Sequence, residues 1–310
     1  MKLRTTHKAY LTVLLSITAV VLCTLPFLLI KKDTIYVYTQ NQYQNSKEEG
    51  FINGLKKSGY RVIVNANVDT SQKVALWFRP TNAVKSIMDT TKFKYNFIYN
   101  EDYYYFNWQE LKEKPIMLTP YQDLYEHYMR SNIKSAKFYL GVNTKDYYPT
   151  QDTKSSIVYY EQRNQSTELK NYLSNLQNIQ FVGRFWGNNV AHNAPLKDII
   201  KKENIALSKA KFVIIDNNYY SKIIPEELTN AISSGSLVIL RKSDEVYNMY
   251  KENLIYYNHP SEIPELIHYY NIKYDEVKHK INKARQITIE NLSSDASVKR
   301  FIELLNWLEY

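Results

Sequence analysis

Residues 206–240 read ALSKAKFVIIDNNYYSKIIPEELTNAISSGSLVIL, and their order decides the architecture. Phe212 to Ile215 is a short continuous apolar run between polar neighbours, the pattern of a strand buried on both faces. A helix is predicted from Pro225 to Ser233. Proline suits a first helical position, where its missing N–H costs nothing, and Gly235 stands where the helix must turn back into the next buried strand, Leu237 to Leu240. Strand, helix and strand in so short a span form one parallel α/β unit.

The same alternation continues on both sides. Upstream, strands are expected at Thr34 to Thr39, Tyr60 to Asn65, Val74 to Phe78, Lys94 to Tyr99, Ile116 to Leu118 and Lys137 to Leu140, with helices at Ser46 to Lys57 and Tyr121 to Ser131. The polar stretch Thr150 to Ser155 follows Pro149, lacks apolar periodicity and reads as a linker. A second series then runs through Ile157 to Tyr160, a helix over Leu169 to Leu176, Ile179 to Val182 and a helix near Leu196 to Leu207. After residue 240 come a helix near Glu245 to Tyr250, the strand Leu254 to Tyr256 and the helix Ile263 to Tyr269. The chain then reads as helical throughout from Tyr274 to Tyr310. The expectation is an α/β protein of two Rossmann-like doubly wound domains, residues 31–150 and 151–283, with C-terminal helices over 284–310.

Ahead of this body, residues 1–8 form a tail and Ala9 to Ile30 an uncharged apolar run. At the helical rise the run spans about 33 Å, enough to cross a bilayer. It meets Lys31 and Lys32 directly, without the small residues of a cleavage site, so it reads as an uncleaved transmembrane anchor with the membrane as its partner. Lys2, Arg4 and Lys8 balance Lys31, Lys32 and Lys47, which leaves the orientation open. Cys23, the only cysteine, lies in this run. The body therefore forms no internal disulfide and its chemistry cannot rest on a thiolate.

The formal charge of +9 is compatible with an anionic ligand such as a nucleotide diphosphate, with nucleic acid, or with anionic lipid headgroups beside the anchor. An AT-rich genome would give the same abundance of Lys, Asn, Ile and Tyr, so charge alone selects no ligand. No nucleic-acid-binding module is recognisable, and nucleic acid is not expected as a partner. No Asp-x-Asp and no Asp/His cluster with ligand spacing occurs, so no metal is expected.

The residues themselves suggest a site. A helix starting just beyond a strand's carboxyl end turns unpaired N–H groups and a positive dipole end toward the cleft, which suits a diphosphate, and Glu226 would face that cleft. Glu101 and Asp102 follow the strand ending at Tyr99, where either carboxylate is placed to accept a proton as general base. Arg184 offers a forked contact to a diphosphate, with Lys211 or Lys222 assisting.

IPEELTNAISSGSLVIL, Ile224 to Leu240, resembles the donor-site segment of the α-1,3-fucosyltransferases: Glu226, Leu228, Asn230, Ala231 and Gly235 match in register. ALSKAKFVIIDNN (Ala206 to Asn218) is similar to that family's strand leading into the donor site, and FVGRFWGNN (Phe181 to Asn189) to its Gly-basic loop. Pro225 stands for the family's threonine and Glu227 for its phosphate-binding lysine. GVNTKDYYP (Gly141 to Pro149), MLTPYQDLYEHYMRSNI and NLIYYNHPSEIPELIHYY (Asn253 to Tyr270) resemble segments of retaining and spore-maturation-type glycosyltransferases. Their ribose-binding glutamate would fall at Asn230, and the first glutamate of their paired motif at Lys222.

The resemblance implies a two-domain GT-B fold and metal-independent transfer of a hexosyl or fucosyl group. The donor is a nucleotide sugar, used as substrate rather than held as a cofactor; the acceptor is a glycan, lipid or protein. It also implies donor binding by Gly183, Arg184, Asn217, Glu226, Asn230 and Gly235. The altered residues at 227 and 230 suggest the alternative of a catalytically inactive, anchored binding or scaffold protein. A eukaryotic protein of this kind would sit in the Golgi membrane, a bacterial one in the inner membrane facing the cytosol.

Overall fold

Every described strand pairs in parallel with its neighbours, in two separate sheets. The computed structural model describes residues 34–39, 46–65, 74–78, 80, 88, 93–100, 111–161, 167–174, 179–183, 196–216 and 223–309. The apolar run at 9–30 lies outside the described residues. Among those described, no helix is long and apolar enough to cross a membrane.

The first sheet is built from β1 (Thr34–Tyr38), β2 (Arg61–Val64), β3 (Val74–Phe78), β4 (Tyr95–Tyr99), β5 (Ile116–Thr119) and β6 (Ser135–Lys137), in the order β2-β1-β3-β4-β5-β6. Helices α1 (Ser46–Lys57) and α2 (Gln122–Arg130) connect its strands. β3 is VALWF and buried at every position, because helices and loops cover both faces of the sheet. On one face Phe51 of α1 packs among Ile35, Phe78, Phe97 and Phe138; on the other Trp77 packs among Ile98, Met117 and Tyr128.

The second sheet contains β7 (Ser156–Tyr160), β8 (Ile179–Val182), β9 (Ala210–Ile215), β10 (Leu237–Arg241) and β11 (Ile255–Tyr257), in the order β11-β10-β9-β7-β8. Its helices are α3 (Thr167–Ser174), α4 (Leu196–Lys209), α5 (Glu226–Ser233), α6 (Asp244–Tyr250), α7 (Ile263–Ile272) and α8 (Tyr274–Leu292). In each sheet the first strand of the unit lies between the second and the third. The chain therefore reverses its direction of travel between β1 and β3, and again between β7 and β9. Such reversal points open a crevice beyond the strands' carboxyl ends, where ligands of α/β folds bind.

Two expectations are corrected. The last strand of the first sheet is Ser135–Lys137 rather than Lys137 to Leu140, because the ladder pairs Met117 with Ser135 and Thr119 with Lys137. Phe138 and Leu140 are buried as core residues of the connection that follows. The C-terminal helix is also not continuous. Ser293 adopts an extended conformation and bridges Val142, with Val142 N–H donating to the Leu292 carbonyl (2.7 Å) and Ser294 N–H donating to the Val142 carbonyl (2.9 Å). The break ends α8 and starts α9 (Ser294–Glu309), which leaves the second sheet and packs Val298, Phe301 and Leu305 into the core of the first.

Lys154, in the stretch read as a linker, donates to the Ser208 carbonyl at 2.8 Å, and burial pulls its pKa down from 10.5 to about 8. Between those values the unfolded chain binds more protons than the folded one, so this group makes stability rise as pH climbs from about 8 toward 10.5. Lys154→Met should flatten that rise when urea midpoints are compared near pH 8 and near pH 10. An identical pH response in both proteins would rule the contribution out.

Candidate active site

The carboxyl ends of the two sheets face one cleft lined by residues of both domains, the place where ligands of such folds bind. The first domain lines it with Lys47 at the start of α1, Tyr99 at the end of β4, and Tyr121 and Tyr139 beyond β5 and β6. The second lines it with residues 223–227 and Thr229, the start of α5.

α5 begins after Pro225, which is extended (φ −66°, ψ 148°) and gives no side-chain cap. Its first N–H groups lie in the wall of the cavity, where an anion would complete them. Glu226 and Glu227 in the first turn offset part of that positive end. The cation comes from the opposite domain: Lys47 Nζ lies 2.8 Å from Glu226 Oε2, with the two side chains 7% and 19% exposed. A second link across the domains lies nearby, where Lys137 Nζ (2.9 Å) and Tyr139 Oη (3.0 Å) both donate to Glu245 Oε1. Burial and the Glu245 carboxylate push the Tyr139 phenol up.

Carboxylates collect at the reversal point of the second sheet. Glu161 follows β7, Asp216 follows β9, and both are buried. Arg241 Nε donates to Asp216 Oδ1 at 3.2 Å, and the guanidinium lies 5.6 Å from the centre of the Tyr257 ring. Burial, then Glu161 and Asp216, hold Tyr159 strongly in its neutral form. Gly183, just past β8, has φ +136°, and a Cβ there would lie 1.6 Å from the Glu161 carbonyl oxygen, so only glycine lets these two strand ends come together.

The residues expected at the site divide into three groups. Glu226 lines the cavity, and Gly183 shapes the neighbouring strand ends. Asn230 and Gly235 do not reach the cavity. Asn230 lies one helical turn below Glu226, 1% exposed, and donates from Nδ2 to Tyr160 Oη at 3.2 Å; Tyr160 and Tyr147 both donate to Glu203 Oε2 (3.4 and 2.8 Å). It is a polar member of the second domain's core. Gly235 ends α5 with φ +80° against Pro149, on the far side from the cleft. Lys211 is also misplaced as a diphosphate ligand: it sits at the start of β9, where its Nζ donates to Asn271 Oδ1 at 2.6 Å. Glu101, Asp102, Arg184, Asn217 and Lys222 lie outside the described residues. Asn100, immediately before Glu101, bonds its N–H to the Leu118 carbonyl (2.8 Å) at the cleft edge.

Sequence reasoning missed Lys47, Tyr99, Tyr121 and Tyr139 because their convergence is made only by the packing of one domain on the other. Among the described residues no three His, Cys, Asp or Glu side chains converge as metal ligands.

No protein-family model matches the chain, and no curated protein sequence matches it. Solved structures do. Anabaena HepE in complex with UDP and glucose aligns with a TM-score of 0.59 and 9% identity, over 88% of this chain and 99% of that one. Sucrose-phosphate synthase from Thermosynechococcus elongatus gives 0.57 and 10%, over 89% and 99%. An α1,3-fucosyltransferase with GDP gives 0.53 and 10%, over 90% and 91%. At such identities the likeness speaks to architecture, and with two parallel sheets facing one cleft the conclusion is plain: this chain has the GT-B fold of glycosyltransferases.

Proposed function

We propose that the protein is a membrane-anchored glycosyltransferase that moves a hexosyl or fucosyl group from a nucleotide sugar to a glycan, lipid or protein acceptor. The observation that carries this reading is the meeting of Lys47, Glu226 and the uncapped start of α5 in one interdomain cavity. The diphosphate lies against the start of α5, with Lys47 and Arg184 stabilising the charge that develops on the leaving group, so that no metal is required. The carboxylates at the ends of β7 and β9 suit the hydroxyls of a ribose, since an ionised carboxylate only accepts hydrogen bonds. Glu101 or Asp102, in the loop leaving β4, takes the proton of the acceptor hydroxyl. Structures of HepE hold UDP and glucose or UDP-glucose, and that of the α1,3-fucosyltransferase holds GDP, which favours this donor class. The body faces the compartment that holds the donors: the Golgi lumen in a eukaryote, the cytosol in a bacterium.

Melting of the purified full chain against a panel of UDP- and GDP-sugars tests the reading. A cognate donor at a hundredfold excess over its Kd should add about 2.7 kcal/mol. No shift with any member of the panel would sink it. The burial of Asn230, away from the cavity, favours a second reading, a binding protein without turnover. Stabilisation by a donor that is never consumed would select it.

A further inference from the structure

We propose that the amino edge of the first sheet, together with Trp307, is a docking surface for the anionic lipid headgroups of the bilayer that holds the apolar run. The inference rests on reading residues 9–30 as a membrane anchor. Only Lys31, Lys32 and Asp33 separate Ile30 from Thr34, the first residue of β1, so at full extension Thr34 stands within about 14 Å of the end of that run. Because the sheet is parallel, every strand begins on the edge where β1 begins. That whole edge is therefore brought down to the membrane surface.

The edge is basic. Arg61 opens β2, Lys94 immediately precedes β4, Lys114 stands two residues before β5, and Lys134 immediately precedes β6; all four are exposed. The exposed acids beside them are Glu113, Glu309 and Glu303, the last next to the exposed Lys57 ahead of β2, so the cations outnumber the acids. A negatively charged leaflet attracts such a row of cations. α9 ends at the same edge, where Tyr95 Oη, in the first residue of β4, donates to the Leu308 carbonyl at 2.6 Å. The preceding residue, Trp307, is 72% exposed. A tryptophan in water gains nothing from its indole, whereas at the headgroup level the ring is buried and its N–H still finds acceptors. With this edge on the membrane, the cleft at the opposite edge opens away from the lipid.

The test uses the full chain with Cys23→Ser and one nitroxide-labelled cysteine, either Trp307→Cys or Ile272→Cys; Ile272, at the end of α7 in the second domain, is 71% exposed. Each protein is reconstituted in phosphatidylcholine vesicles with and without phosphatidylserine. With phosphatidylserine, the label at 307 should collide with oxygen several-fold more, relative to a water-soluble nickel chelate, than the label at 272. Reversing Arg61, Lys94, Lys114 and Lys134 to glutamate should abolish that difference while the protein still resists an alkaline carbonate wash. A label at 307 as accessible to the chelate as that at 272, in vesicles that retain the protein, overturns the docking surface alone. Release of the protein by carbonate overturns the anchor, and this inference with it.

Discussion

Glu226→Ala is expected to lower turnover of the cognate nucleotide sugar by about two to three orders of magnitude, the loss seen when one preorganised electrostatic group is removed from a reacting site. The carboxylate stands at the mouth of α5 and fixes Lys47 at 2.8 Å from across the cleft. With both side chains largely withdrawn from water, the pair is held by charge in a weakly screened environment. Removing the carboxylate frees the lysine to move and leaves the domains one link fewer. Glu226→Gln separates charge from shape: it keeps the hydrogen-bonding outline and loses the ion pair, so its rate should fall nearly as far as that of the alanine variant. Release of free nucleotide from the donor, followed with saturating substrate, measures the effect. Turnover within a few-fold of the unmodified protein would remove Glu226 from the site.

The largest expected effect on stability lies far from the cleft. Phe301 is fully buried and meets Phe97 (centroids 5.1 Å), Phe51 (5.6 Å) and Phe138 (6.3 Å) at steep angles. Phe301→Ala should cost about 3–5 kcal/mol, a transfer loss plus the cavity left between rigid aromatic neighbours. Urea unfolding followed by the stacked Trp77 and Tyr38 of the first domain, whose ring centroids lie 3.9 Å apart, reads the loss where it occurs. A cost under about 1 kcal/mol would mean that α9 adds little to that core.

Much of the architecture is legible in the sequence, and the reason is physical. A parallel strand covered on both faces must be apolar without interruption, so VALWF and LVIL announce themselves. Helix α1 carries acids in its first turn and lysines in its last, matching its dipole, and both ends are readable. What local pattern does not encode is pairing. β6 is set by its register against β5, and the apolar Phe138 and Leu140 mislead because they are buried without being in the ladder. The break at Ser293 comes from a bridge to Val142, on a segment some 150 residues earlier in the chain, with no proline or glycine to mark it.

The site divides in the same way. Glu226 is found because it starts a helix beyond a buried strand. Asn230 matches the same family pattern in register, yet one turn of helix carries it about 5 Å deeper, out of the cavity and into the core. Lys47 could not be found, because its meaning depends on a carboxylate in the other domain.

The return of α9 to the first sheet also orders events during synthesis. Val298, Phe301 and Leu305 complete a core whose other buried members, from Ile35 to Leu140, leave the ribosome long before them. Domains usually fold in the order in which they emerge. Here the amino-terminal half must wait, its aromatic surface open, until α9 has emerged, while the second sheet already has its strands. The nascent protein is thus most exposed to chaperones and to misassociation at its beginning, and translation that stops short of α9 leaves the earlier domain unfinished.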